Sequence, residues 1–199
     1  PGRWRIILPT SNPRGMGGLM KVGSLLAEAE KDLNMCVLTV FPSEAITERV
    51  NSTQYVDKLK QHRHQILDNF IHYAIDRNVP MYTKMIPDMT LADGIINEIK
   101  NDDNVKLLLM KWPEDRVKNG VGWKDLRRLI EETRTSLAVL RDRGIPDFQN
   151  ILVPVGGGFN SQLAIHLAND IATEEDSHIN FMRVYRNPME GETEEDMIS

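Results

Sequence analysis

Glycine clusters beside short apolar runs are the first features of this 199-residue chain that could do chemistry, because backbone N–H groups at a helix start can hold an anion. Gly156-Gly157-Gly158 is one such cluster and a candidate anion nest. A tight strand-to-helix turn that needs positive φ calls for the same residues. Gly15-Met16-Gly17-Gly18 fits neither a dinucleotide fingerprint nor a P-loop, since no Gly-Lys-Ser/Thr follows, and reads as loop. His62 and His64 invite a metal reading, but residues two apart on a helix point about 200° away from each other and cannot chelate one ion. His72, His166 and His178 are scattered and read as solvated or core histidines. Cys36 lies inside an apolar, β-rich run, where a buried inert thiol is the ordinary outcome. Neither Gly-x-Ser-x-Gly nor His-Glu-x-x-His occurs, and Asp88 and Asp93 sit near helix starts, where capping accounts for them. No catalytic group, metal or cofactor is expected.

The elements that carry these residues follow from hydrophobic period. Arg5 to Thr10 is a short apolar run ended by the turn signal Ser11-Asn12-Pro13-Arg14-Gly15. Leu19, Val22, Leu25, Leu26 and Ala29 give residues 17–33 a helical stripe. Met35 to Phe41 is β-rich and stops at Pro42. Tyr55, Leu59, Ile66, Leu67, Phe70, Ile71 and Ala74 share one face of a helix over 54–77. Pro80 to Ile86 reads as a strand closed by Pro87. Thr90 and Asp93 resemble a capping box for a helix to about Lys100. Val105 to Met110 is a strand, Trp123 to Glu132 a helix, and Ser136 to Leu140 a strand. Strands alternating with helices imply βαβ units and a doubly wound, mostly parallel α/β sheet over residues 1–142.

After the linker 143–149 the pattern restarts. Asn150 to Val155 is a strand, 159–172 a helix and His178 to Tyr185 a strand, so 150–185 is a partial second repeat of β-α-β form. The tail 186–199 holds Glu190, Glu192, Glu194, Glu195 and Asp196 without a base and reads as solvated and flexible. A half sheet leaves an open strand edge, a liability, so either the chain is cut inside its second repeat or another chain covers that edge, and pairing within a homodimer is the favoured expectation. The start at Pro1 rather than Met suggests an excised fragment.

Composition excludes several classes. The chain is 41% hydrophobic and 27% charged, ordinary for a globular protein. A net charge of −5 argues against a nucleic-acid partner. Between residues 124 and 143, Lys124, Arg127, Arg128, Arg134, Arg141 and Arg143 are offset by Asp125, Glu131, Glu132 and Asp142, which suits a solvated helix face or, less well, an anionic membrane leaflet. One cysteine excludes an intramolecular disulfide and cysteine-rich zinc sites. No apolar run approaches the length of about 18 residues that marks a transmembrane helix. Trp4 and Trp112 flank strands and read as core or interface anchors, and Trp123 opens a helix.

The segment NILVPVGGGFNSQLAIHLANDIA resembles the opening of the universal stress protein fold, where a strand like ILVPVDGS leads into a helix like SxxALxxAxxLA. RIILPTSNPRG resembles it more loosely. The resemblance implies a five-stranded sheet of order 3-2-1-4-5. It also places a ligand crevice at the strand ends, between strands one and four, lined by Thr10, Ser11, Asn12 and Gly15 opposite Lys111, Trp112, Gly120 and Gly122. In nucleotide-binding members the first strand ends in an Asp that contacts adenine. The matching positions here are Ser11 and Gly156, which supply no carboxylate. The family's phosphate motif of Gly, two residues, Gly, nine residues and Gly-Ser/Thr does not match KWPEDRVKNGVGWKDL, so a bound nucleotide is not expected. Strand endings such as PTSNPRG and PVGGGFNSQLA look like the cytoplasmic stress-protein-like regions of amino acid permeases and prokaryotic cation–chloride cotransporters. The resemblance therefore implies a non-catalytic regulatory domain that dimerises beside the membrane domain of the same polypeptide, on the cytoplasmic side of the cell membrane. The alternative is a free-standing stress protein that binds an adenine nucleotide.

Overall fold

The computed structural model describes residues 4–10, 16–42, 78–113, 121–144 and 147–183, with isolated positions 57, 61, 64 and 68. The chain divides into two compact units, Pro1–Ile145 and Pro146–Ser199.

The first unit runs β1 (Trp4–Thr10), α1 (Gly17–Ala29), β2 (Leu33–Pro42), β3 (Met81–Asp88), α2 (Leu91–Lys100), β4 (Val105–Lys111), α3 (Trp123–Glu132) and β5 (Ser136–Leu140). All five strands are parallel, in the order β3-β2-β1-β4-β5. This is the doubly wound sheet that the sequence implies. The continuous apolar runs of β1, β2 and β4 are those of central strands buried on both faces. Ile7, Cys36, Leu38, Leu108 and Met110 face Ile95, Ile96 and Ile99 of α2 and Leu129 of α3. The alternate residues Leu8 and Met35 meet α1, where a Cβ on Gly23 would lie 3.1 Å from Leu8 Cδ2 and from Met35 Sδ.

Several bounds differ from the hydropathy reading, each for a local reason. The first helix ends at Ala29 rather than at 33. Glu30 turns extended there, and Leu33 already pairs with Trp4, so the ladder overrides the helical period. β3 runs through Pro87 to Asp88, with Pro87 opposite Phe41. Pro87 is tolerated because β3 is an edge strand, where a missing N–H leaves no neighbour unpaired. At the start of α2, Thr90 Oγ accepts from the Asp93 N–H at 3.1 Å and donates to Asp93 Oδ2 at 2.6 Å. Asp88 accepts from the Met89 N–H and from Asn97, both at 2.7 Å, which spends its carboxylate on the same helix start. Of the helix expected over 54–77, Asp57, Gln61, His64 and Asp68 are helical and exposed; the rest lies outside the described residues.

The second unit is β6 (Asn150–Pro154), α4 (Gly158–Glu175) and β7 (His178–Met182), with the two strands parallel. The helix is longer than 159–172. It ends where Asp176 turns left-handed at φ 50°, its N–H bonded to the Ala172 carbonyl. Val153 and Ala168 are buried. Among the described residues no helix is long and apolar enough to cross a membrane.

Candidate functional site

Parallel pairing brings the carboxyl ends of all five strands to one edge of the first sheet, where open α/β folds bind ligands. Thr10 ends β1 there and is buried. Ser11, Asn12, Gly15 and Gly120 lie outside the described residues. Gly122 is the N-cap of α3. Its N–H donates to Asp125 Oδ2 at 3.0 Å and its carbonyl accepts from Leu126 at 2.9 Å, so both its polar groups serve the helix start.

Trp112 stands one residue past β4. Its N–H donates to the Leu140 carbonyl at 2.8 Å, which extends the β4–β5 ladder by one bond. Its ring meets that of Trp123 edge-on, centroids 5.2 Å apart at 86°. The Arg141 guanidinium lies 5.8 Å over the Trp112 ring centroid, within cation–π range. Trp112 and Trp123 are 41% and 47% exposed, so neither is a core residue. Trp4, at the opposite end of the sheet, is also exposed.

Asp142, two residues past β5, completes the edge. A Cβ built on Gly18 would fall 2.1 Å from Asp142 Oδ2, so the carboxylate lies against the first turn of α1 in space that only glycine leaves open. Its Oδ1 accepts from the Gly144 N–H at 2.7 Å, and Gly144 turns to φ 79°. The first turn of α1 holds no acid and Met16 offers no side-chain cap, so Asp142 brings the negative charge that the helix dipole favours there. In sequence Asp142 reads only as one of the acids that offset the bases of 124–143, which does not reveal this role. The glycine pair Gly17-Gly18 was its one visible signal.

The glycine triplet of the second unit is a turn closed from within. Ser161 Oγ accepts from the Gly156 N–H at 3.1 Å and donates to the Gly157 carbonyl at 3.0 Å. Gly157 and Gly158 have φ of 89° and 75°. His166 is exposed on α4, 3.7 Å from Asp170 one turn on, while His178 starts β7 and His62 and His72 lie outside the described residues.

A polar network sits at the amino ends of the strands. Arg5 donates to Tyr82 Oη at 2.8 Å and pairs with Asp102, and Lys84 pairs with Glu98 at 2.7 Å. Burial pushes the Cys36 thiol up to about 11, so it stays protonated and unreactive near neutral pH. The network ties β1, β3 and α2 together and offers no nucleophile.

No family model and no curated protein matches the chain. Among solved structures it is similar to a universal stress protein from Archaeoglobus fulgidus DSM 4304, at 11% identity and a TM-score of 0.58, over 90% of this chain and 66% of that one. It is also similar to the hypothetical protein MJ0577, solved as a test case of structural genomics, at 11% identity and a TM-score of 0.50, over 73% of this chain and 100% of that one. At such identity the likeness is one of fold alone. The parallel sheet in the order 3-2-1-4-5 and these two neighbours give the chain a universal stress protein-like fold.

Proposed function

We propose that the chain is a non-catalytic regulatory domain of a membrane secondary transporter, of amino acid permease or cation–chloride cotransporter type. It acts on the cytoplasmic side by pairing with a second copy and biasing the attached membrane domain. The observation that carries the pairing is the bare face of the second unit. Side chains alternate across a strand, so with Val153 buried, Leu152 points to the other face, level with Asn180, and Pro154 is level with Met182. Leu152 is 60% exposed and Met182 41%, and among the described residues β6 and β7 pair only with each other. A two-stranded sheet with an apolar bare face is marginal alone and gains from a partner. The Asp142 carboxylate on the first turn of α1 supports the non-nucleotide part, because it repels a phosphate from the helix start such groups favour.

The test is a blot of fractionated native cells with an antibody to this domain. A membrane band much larger than 22.7 kDa is expected. A soluble band near that mass overturns the transporter assignment.

A free-standing stress protein that binds an adenine nucleotide is the second reading. The likeness to MJ0577 over that protein's whole chain supports its free-standing part. Its test is ATP titration followed by thermal unfolding. Ligand at about 100 times its dissociation constant stabilises by about 2.7 kcal/mol, so a flat response excludes tight binding.

A further inference from the structure

We propose that the strand-end edge built from Trp112, Trp123, Lys111, Lys124, Arg141 and Arg143 docks on an anionic lipid bilayer surface. This goes beyond the transporter assignment and does not rest on it. Two indoles packed edge to face and each more than 40% exposed form an amphipathic patch, apolar in body with an N–H at the rim. Such side chains settle at the boundary between headgroups and hydrocarbon.

The charge around the patch is positive on balance, four exposed bases against Asp125 and Asp142. Lys111, Lys124, Arg141 and Arg143 are exposed, and none has an ion pair among the described residues. Of the neighbouring acids, Asp125 accepts from the Gly122 N–H and Asp142 from the Gly144 N–H, with Asp142 also lying against α1, and two negative charges stand against four positive ones. Farther along α3 the bases are paired, Arg127 with Glu131 and Arg128 with Asp93 and Glu132, so the unpaired positive charge concentrates beside the tryptophans. A positive aromatic edge on a chain of net charge −5 is complementary to an anionic leaflet.

Nucleic acid fits less well. Base stacking needs open ring faces. Here Arg141 covers one face of Trp112 and Trp123 packs against the same ring.

The test uses the full chain with phosphatidylcholine vesicles prepared with and without phosphatidylserine. Co-sedimentation with the phosphatidylserine vesicles alone is expected, with a blue shift of indole emission and release by salt. Lys124→Glu with Arg141→Glu should weaken binding at least tenfold, and Trp112→Ala with Trp123→Ala should abolish the blue shift. Arg134→Glu, an exposed base at the other end of α3, should change neither. All these positions are exposed, and far-UV circular dichroism verifies that the variants fold. Should a charge reversal unfold the chain, Lys111→Gln with Lys124→Gln replaces it, with the same loss expected. No sedimentation with either vesicle, equal binding by the charge-reversed variant, or binding to single-stranded oligonucleotide in preference to vesicles overturns the proposal. The vesicle result is independent of the cell fractionation, so each assignment fails separately.

Discussion

Glu98 is only 6% exposed, yet it meets two cations, Lys84 at 2.7 Å and Arg5 at 3.7 Å. Neutralising Glu98 leaves Arg5 with Asp102 and leaves Lys84, 43% exposed, within reach of water, while the Gln oxygen still accepts a hydrogen bond. Glu98→Gln should therefore destabilise the first unit by about 1 kcal/mol in urea unfolding. Glu132→Gln, on an exposed pair, should fall near zero. Cys36, on β2 in the same neighbourhood, makes a second prediction. Its thiol is raised from 9.0 to about 11 by burial first, with a lowering hydrogen bond from Tyr82 only partly offsetting it. An acid whose folded pKa is raised favours folding while it stays protonated. That contribution is present below pH 9 and is lost as pH climbs towards about 11. At pH 8 iodoacetamide should label Cys36 only at the rate of unfolding. Fast labelling of the folded chain would show an open thiol instead.

Helix α2 is held so close to β2 that a Cβ on Gly94 would fall 2.5 Å from Val40 Cγ2 and 2.8 Å from Val40 Cγ1. Alanine gains helix propensity of about 1 kcal/mol but meets a stiff β-branched side chain, and overpacking costs about 1–3 kcal/mol. Gly94→Ala should therefore lower stability by about 1 kcal/mol, and adding Val40→Ala should restore part of it; a stabilised single variant would show that the helix simply shifts. In α4 the contrast lies within one turn. Gly157 is at φ 89° while Gly156 is not at positive φ, and neither has an atom within 4 Å of its Cβ position. Gly157→Ala should destabilise the second unit by about 1–2 kcal/mol and Gly156→Ala by almost nothing, read from amide exchange along α4. These elements were legible in sequence because their signals are local: α3 and β5 fall where hydropathy put them, and Thr90 with Asp93 marks the start of α2. Pro87 misled because proline stops a central strand but not an edge strand, and edge position is a property of the sheet. The site was less legible for the same reason. Trp112 meets Arg141 only because β4 and β5 pair in register, and Asp142 meets Gly18 across most of the first unit.

At the scale of the molecule, the two units pose different problems of exposed surface. The first closes its core with helices on both faces of the sheet and, among the described residues, leaves apolar exposure at Trp112, Trp123 and Met89 at one end, Trp4 at the other and Ile130 on α3. The second, among the described residues, has one helix for two strands and leaves Leu152, Pro154 and Met182 on the face that α4 does not cover. Open strand edges and a bare apolar face are features that natural proteins blunt with charge or cover with a partner. Leu152 and Met182 carry no charge to blunt this face, so cover by a second copy is the economical outcome. Sedimentation equilibrium of the full chain should then show a dimer that forms with rising concentration. Leu152→Lys with Met182→Lys places two like charges on that face without touching the buried Val153, so it should return the chain to monomer while far-UV circular dichroism stays unchanged. If the unsubstituted chain stays monomeric at high concentration, pairing through the second unit is wrong. If it dimerises and the double lysine variant dimerises equally well, the contact lies on another surface.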